Sequence, residues 1–271
     1  PTSGGFNVKE AFGEVLLPLL KLENAVEIDL SGAARYSDYS TSGGIWTWKA
    51  GGTARLFNDL LLRATRSRDI RSPGIGELFA LRSINIGPLN DQDNPDGRLA
   101  ANPLTYDSTP SAVTTFTGGN PNLVPEVSYT TAIGATYSPS FLRGFSASVD
   151  YYKIKIDGAI TALNGSNLTL LCARGLTSAC NSITRDASGT VTQVAATQQN
   201  IASFETSGLD MEASYVVNLS NVSAGLPGSL RIRGLATYVD KLVFDTGVTR
   251  VETAGELRPT QASLAKFHNT R

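Results

Sequence analysis

Few side chains in this 271-residue chain have the type and spacing that covalent chemistry needs. There is one histidine, His268. A Ser-His-Asp relay needs an imidazole held between nucleophile and acid, and zinc sites are built from several imidazoles or thiolates. Neither is expected here. Pro73-Gly74-Ile75-Gly76 lacks the Gly-Lys-Ser/Thr that closes a phosphate loop. The acidic run from Asp91 to Gly97 has the look of a calcium loop. It places Pro95 at a ligand position, Asp96 where glycine belongs and Asn102 where the closing glutamate should stand, so the EF-hand pattern is not met. The expectation is a non-enzyme with no catalytic residue, no metal and no cofactor. Asn164, Asn167, Asn218 and Asn221 fit glycosylation sequons, which a chain rich in Ser and Thr meets by chance. Cys172 and Cys180 stand in one polar stretch. In an oxidising compartment such a pair closes a small loop disulfide, and in the cytosol it remains two free thiols. The loop-like composition of 173–179 favours the bridge.

The elements that would position these residues read as strands. Charged residues make up 17% of the chain, below the roughly 25% of ordinary soluble domains. The formal net charge of −1 offers no basic excess to neutralise phosphates, which argues against a nucleic-acid partner. No apolar run reaches the ~18 residues of a membrane-spanning helix. A closed β-barrel also satisfies every backbone group in lipid, with a much weaker signal per segment.

That weaker signal is present. Val26, Ile28, Leu30, Gly32, Ala34 and Tyr36 alternate with Glu27, Asp29, Ser31, Ala33, Arg35 and Ser37, so the two sets point to opposite faces of one strand. Further strands are expected over 6–17, 44–56, 59–69, 127–138, 145–157, 205–219 and 230–240, with a last one beginning near 264. The alternation weakens after Tyr152, where a bulge is expected. Several segments exceed ten residues, the length that a tilted bilayer-spanning strand needs and an ordinary strand does not. The connections alternate too. Those at 70–126, 158–202 and 241–262 are long and fall on one side, and the other side holds only short or moderate turns. This one-sidedness is the pattern of outer-membrane barrels. Aromatic residues such as Tyr36, Trp46, Trp48 and Tyr151 near strand ends are a weaker cue to a membrane interface.

Three stretches carry a resemblance to a known family, the first two together being specific. Ser67-Arg68-Asp69-Ile70-Arg71-Ser72-Pro73, followed by Glu77-Leu78-Phe79, resembles the Ser-Arg-x-x-Arg-x-Pro and Glu-Leu-Phe segment of TonB-dependent receptors. Gly119-Asn120-Pro121-Asn122-Leu123-Val124-Pro125-Glu126 is similar to the Gly-Asn-Pro-x-Leu-x-Pro-Glu run that leads into the family's next strand. The third is Val8 to Glu14, followed by Arg35 to Tyr39, and the three fit the family in order and spacing as well as in residues. Physically, Pro73 stops ladder pairing, Pro121 and Pro125 force an extended approach, and Gly118-Gly119 permits a sharp turn. Glu126 is expected to face an arginine at the barrel rim, with Arg68 and Arg71 both candidates. These motif residues are expected to define the barrel rather than the ligand, and ligand-contacting residues are not identified.

The resemblance implies an all-β, antiparallel transmembrane β-barrel segment of about nine strands, from a barrel of roughly 22. Residues 1–271 would be one β-barrel domain, incomplete at both ends and without the plug domain. It further implies a bacterial outer-membrane location and contact with outer-membrane lipid. TonB would be the partner, through an N-terminal region outside this sequence. The extracellular ligand would be a scarce small molecule such as a ferric siderophore, a cobalamin-like compound or an oligosaccharide. The competing reading is a soluble secreted all-β binding module of lectin or sandwich type, which explains neither the strand lengths nor the one-sided loops.

Overall fold

The computed structural model describes residues 4–255 and 267–270, apart from 24, 90, 92–111, 188, 222–224 and 226. Its main sheet is antiparallel throughout. In chain order the long strands are β1 (Val8–Leu22), β2 (Val26–Tyr39), β3 (Gly43–Leu56) and β4 (Leu60–Arg71). A short helix α1 (Ile75–Phe79) and strands β5 (Ser83–Pro88) and β6 (Ala112–Thr117) follow, then β7 (Glu126–Tyr137) and β8 (Phe145–Ala162). Helices α2 (Gly165–Ala173) and α3 (Thr177–Cys180) come next, with strands β9 (Ile183–Arg185) and β10 (Val191–Ala195). The chain returns to the main sheet with β11 (Gln198–Asn218) and β12 (Ser229–Asp245), then β13 (Arg250–Glu252) and β14 (Phe267–Thr270). The sheet order is β1-β2-β3-β4-β7-β8-β11-β12, and β12 pairs both β13 and β14 along its outer edge. The described strands thus fill the nine positions expected, and the sheet is open.

Period-two patterning becomes two chemically distinct faces once the register is known. Leu30, Gly52, Ala64, Ile133, Tyr151 and Leu209 share one face through successive cross-strand pairs or adjacent rows. The opposite face carries ion pairs between neighbouring strands, Arg55 with Glu27 at 3.6 Å and Arg233 with Glu212 at 2.7 Å among them. Among the described residues no layer packs on the apolar face: Leu30, Leu62, Ile133, Val149 and Ile232 are all exposed. Water would penalise so large a continuous apolar surface, and lipid would not. A soluble sandwich would cover such a face with a second sheet.

The compact apolar core lies elsewhere. The long connections after β4 and β8 build a second, four-stranded sheet ordered β5-β6-β10-β9, with β6 and β10 parallel. Val113, Leu163, Leu168, Leu171, Val191 and Val194 pack there with no more than 8% exposure. The long-loop side is therefore a folded layer, held by burial of its own side chains. On the other side, turns such as 57–59 and 138–144 are brief. Phe57 and Asn58 both take positive φ, as a tight two-residue hairpin turn demands.

The structure corrects several expected boundaries. β1 continues through Pro18 to Leu22 instead of ending at 17, with a register shift between Pro18 and Leu20. Proline cannot donate to a ladder, and a bulge accommodates the missing donor. β8 runs to Ala162, β11 begins at Gln198, and β12 runs to Asp245. In these extensions Ala202 and the adjacent Leu242 and Val243 are buried, so pairing continues where no alternation of apolar and polar residues is required. No register shift falls at Tyr152, since β7 and β8 pair without interruption from Val127–Asp157 to Tyr137–Ala147. The shifts lie on β11, between Ser207 and Gly208 against β12 and around Ala202 against β8. The phase weakens at Tyr152 because the chemistry of the faces changes there, not the pairing. The loop from Asp91 lies outside the described residues except for Asp91 itself, which accepts from Arg185 at 2.7 and 3.1 Å.

Candidate functional site

The motif residues converge on the rim where β4 and β7 emerge on the long-loop side. Counting up from the turn at 57–59, the ~9–11 residues that cross a bilayer end by Ile70. Arg71 and Glu126 are register partners just above. Arg71 Nε and Nη2 donate to the two oxygens of Glu126 at 2.8 and 2.5 Å. Its Nη1 and Nη2 also donate to Glu77 at 3.0 Å each. One guanidinium is thus forked between two carboxylates, a geometry that a planar five-donor group can make and an ammonium cannot.

Each carboxylate has a further donor. Ile160 N–H donates to Glu126 Oε1 at 2.7 Å, tying β8 into the cluster. Gly74 N–H donates to Glu77 Oε2 at 2.7 Å, so Glu77 also caps the start of α1. Hydrogen bonds from Arg71 hold both carboxyls below the usual carboxylate range, against the desolvation that opposes it. The same bonds, first from Glu126 and then from Glu77, raise the guanidinium pKa further.

The second motif is stitched to the first through the backbone. Asn120 N–H donates to Glu77 O at 2.8 Å and Gly119 N–H to Ala80 O at 3.1 Å. Asn120 Nδ2 reaches Gln198 O at 2.8 Å, and Asn120 Oδ1 accepts from Asn122 N–H at 3.0 Å. Pro73, Leu78 and Leu123 are fully buried, and Phe79 closes over Gly4. Pro121 and Pro125 flank Leu123, and chain direction is set between them by Asn200, which exchanges hydrogen bonds with Val124 at 2.8 and 3.0 Å and donates to Gly158 O at 2.8 Å.

Of the two arginines considered for Glu126, Arg71 makes the contact. Arg68 points to the other face and donates to Trp46 O. Cys172 and Cys180 are bonded to each other, with Cα atoms 4.6 Å apart, between α2 and α3. Asn164 serves as the N-cap of α2, accepting from Asn167 N–H at 2.8 Å. Among the described residues no group of His, Cys, Asp and Glu is placed to hold a metal.

Sequence reasoning missed one clamp on the charged face. Arg63 on β4 reaches across β7 to Asp150 on β8, with Nε–Oδ1 at 2.8 Å and Nη2–Oδ2 at 2.5 Å. The intervening position is Gly134, and a Cβ there would stand 1.9 Å from Asp150 Oδ1. A glycine flanked by Ile133 and Ala135 was the available signal. Gly134→Ala is expected to cost about 1–2 kcal/mol by turning Asp150 away, discounted because both charged groups are partly exposed. The check is non-additivity: in an Asp150→Ala background, which removes the atoms the new Cβ would meet, the alanine should cost almost nothing.

An open antiparallel sheet of bilayer-length strands, an uncovered apolar face, a charged opposite face and a folded loop layer on one side define a segment of a transmembrane β-barrel. The family described as TonB dependent receptor-like, beta-barrel matches residues 2–267, and the chain belongs to it. The proteins of that family are transporters of the bacterial outer membrane, not enzymes. No curated protein matches the chain. Among solved structures it is similar to the siderophore receptor PirA from Acinetobacter baumannii, at 15% identity and a TM-score of 0.54, over 87% of this chain and 28% of that one. It is also similar to a mutant of the ferric enterobactin receptor PfeA from Pseudomonas aeruginosa, at 17% identity and a TM-score of 0.54, over 87% of this chain and 27% of that one. At such identities the likeness is one of fold. The chain spans little more than a quarter of the length of either receptor.

Proposed function

We propose that this chain is the β-barrel part of an outer-membrane receptor that binds a scarce solute outside the cell and imports it with energy delivered through TonB. The observation that carries this reading is the two-sided build: a packed loop layer on one side, brief turns on the other, and a membrane-length sheet between them. Residues 1–271 are then one segment of a larger closed barrel, because β1 and the β12 edge would otherwise leave ladder groups unpaired in lipid. The Arg71 clamp and the Gly119–Glu126 run hold the loop layer on the rim, which makes them structural rather than ligand-contacting. The layer contains a cavity of about 650 Å³ lined by apolar residues such as Leu89, Leu163 and Ala196 together with uncharged hydrogen-bonding groups, including Asn85, Thr115, Asn164 and Gln198. Such a mixed, uncharged lining suits a small solute with both apolar and hydrogen-bonding surface, and a ferric siderophore, a cobalamin-like compound and an oligosaccharide all remain in range. Recognition from loops on a rigid scaffold is the common arrangement.

Uptake by cells with and without the full-length gene tests the reading. Radio-iron siderophore, cobalamin and labelled oligosaccharide would be supplied in parallel. Loss of uptake of one solute, reproduced when TonB is removed, is the expected result. Import of every solute at the same rate without TonB would end it. The disulfide gives a second expectation. Closing a loop of this size stabilises by roughly 2–3 kcal/mol in the chain-entropy account. A Cys172→Ser, Cys180→Ser variant should therefore show faster protease cleavage within 163–197, with strand content unchanged by circular dichroism.

A further inference from the structure

The small sheet of the loop layer has two unlike faces. On β5, Ile84 and Ile86 turn outward and are 62% and 69% exposed, so Asn85 between them turns to the other face. Asn85 pairs with Thr115 on β6, and Ser83 with Thr117, which brings Asn85, Thr115 and Thr117 onto one side of the sheet. All three line the cavity of about 650 Å³. Gln198, at the start of β11, and Asn164 and Ser166, at the start of α2, complete its polar wall. Leu89, Leu163 and Ala196 add apolar surface where the cavity meets the packed core.

Charge and hydrogen bonding together select the occupant. Among the described residues no charged side chain lines the cavity. The described cations of the layer are engaged elsewhere. Arg82 stacks 3.5 Å from the centre of the Phe116 ring, on the outward face of β6. Arg185 pairs with Asp91 at 2.7 Å, and Arg174 donates to Gly247 O at 3.2 Å. The N-terminus of α2, an end that favours anions, already has the Asn164 side chain on Asn167 N–H at 2.8 Å. An anionic ferric chelate would therefore bury charge without a partner, which costs far more than burying a neutral group that is hydrogen-bonded. The side chains of Asn85, Thr115, Thr117, Ser166 and Gln198 make no hydrogen bond among the described residues. Each of these amides and hydroxyls can both donate and accept, as a sugar hydroxyl does. No aromatic ring lines the cavity among the described residues, so a corrin or a catecholate finds nothing to stack on. A water takes about 30 Å³ in the liquid, so the space holds on the order of 20 such groups, the scale of two sugar rings.

Resting on the reading of this chain as part of a solute receptor, we propose that the cavity seats an uncharged oligosaccharide, two rings at a time. The amides of Asn85 and Gln198 and the hydroxyls of Thr115 and Thr117 bond its hydroxyls. Leu89, Leu163 and Ala196 take the apolar C–H faces of its rings. An acidic sugar of the same size is rejected, because its carboxylates would be desolvated with no cation beside them. Discrimination built on hydrogen bonds to hydroxyls is steep, since a ligand lacking one leaves a polar side chain without a partner.

The test titrates the full-length receptor in mild detergent with maltose, cellobiose, xylobiose and sucrose, and follows the heat of binding. Digalacturonate is the charged counterpart, and ferric enterobactin and cyanocobalamin are the rival solutes. At least one neutral disaccharide should bind with a Kd below about 1 mM, and at least about tenfold more tightly than digalacturonate. Asn85→Ala and Gln198→Ala should each weaken that sugar about fivefold, the worth of one hydrogen bond. Thr115→Lys should shift preference towards digalacturonate, and Ile84→Ala, on the outward face, should change nothing. Heat-modifiable migration checks that each variant is folded. Tighter binding of digalacturonate, ferric enterobactin or cyanocobalamin by the folded wild type overturns the sugar and leaves the receptor reading standing, as does binding of no disaccharide. Unchanged sugar affinity in both folded alanine variants overturns the site. A sugar that binds as expected but enters cells equally well without TonB keeps the site and ends the TonB reading.

Discussion

Gly119→Ala is expected to destabilise the loop layer of the receptor by about 3 kcal/mol, and Gly119→Val by more. A Cβ at this position would stand 2.6 Å from Ala80 N and 2.6 Å from the carbonyl carbon and oxygen of Leu78. These are backbone atoms, so no rotamer change relieves the collision. The 118–123 run must back away from α1. That movement breaks the bonds from Gly119 N–H to Ala80 O and from Asn120 N–H to Glu77 O. Overpacking of this kind costs about 1–3 kcal/mol and each lost hydrogen bond about 1. It also disturbs Leu78 and Leu123, which are 1% and 2% exposed. Membrane-level strands should be spared, since the atoms nearest the new Cβ belong to Leu78 and Ala80, above the rim. Thermal unfolding followed by gel migration, together with trypsin cleavage of the full-length receptor, separates the two levels. Wild-type resistance to trypsin within 72–125 in the alanine variant would show that α1 yields more easily than the backbone contacts allow.

Arg71→Ala should cost about 2–3 kcal/mol. Removing the guanidinium leaves Glu126, whose side chain is 11% exposed, and Glu77 facing each other with no cation between them. A fully buried pair broken this way costs 3–5 kcal/mol, and the half-exposed arginine reduces that figure. Arg71→Lys should restore little, because one ammonium cannot serve four oxygens in the plane of a fork. The pH dependence gives the second readout. Both carboxyls have their folded-state pKa depressed, so the stabilisation is fully present above the ordinary glutamate value of about 4.3. It is lost as pH falls through the folded values below that. The gap between wild type and Arg71→Ala in urea midpoint should therefore be full at pH 7 and close in acid. A gap independent of pH would mean that the arginine acts by packing alone.

Some of this molecule could be read from residues in order. Strand length, alternation and one-sided loops were all local or nearly local properties, because lipid imposes them on each strand separately. Val26 to Tyr36 needed no partner to show its two faces. The proline and glycine positions of the rim motifs were legible for the same reason: a missing donor or a missing Cβ acts on its own backbone. That Glu126 would meet an arginine was also legible, but which arginine was not. Arg68 and Arg71 are three apart on one strand and so face opposite ways, and only the register of β4 against β7 decides which side Glu126 takes.

The remaining features depend on contacts that strand pairing creates. The Arg63–Asp150 clamp crosses a strand and spans 87 positions of sequence. The upper parts of β11 and β12 bury Ala202, Val239 and the adjacent Leu242 and Val243, so pairing there leaves no alternating pattern to find. The cross-strand row of Arg66, Lys153 and Lys241 came from three separate stretches, and after Tyr152 its charges looked like lost phase. By itself, the sequence determined that long strands would form with one apolar face, because each side chain responds to its immediate solvent. The tertiary structure alone decided which charges meet and on which side, because sheet register converts distant residues into neighbours less than 6 Å apart, and a one-residue slip would move every one of them to the other face.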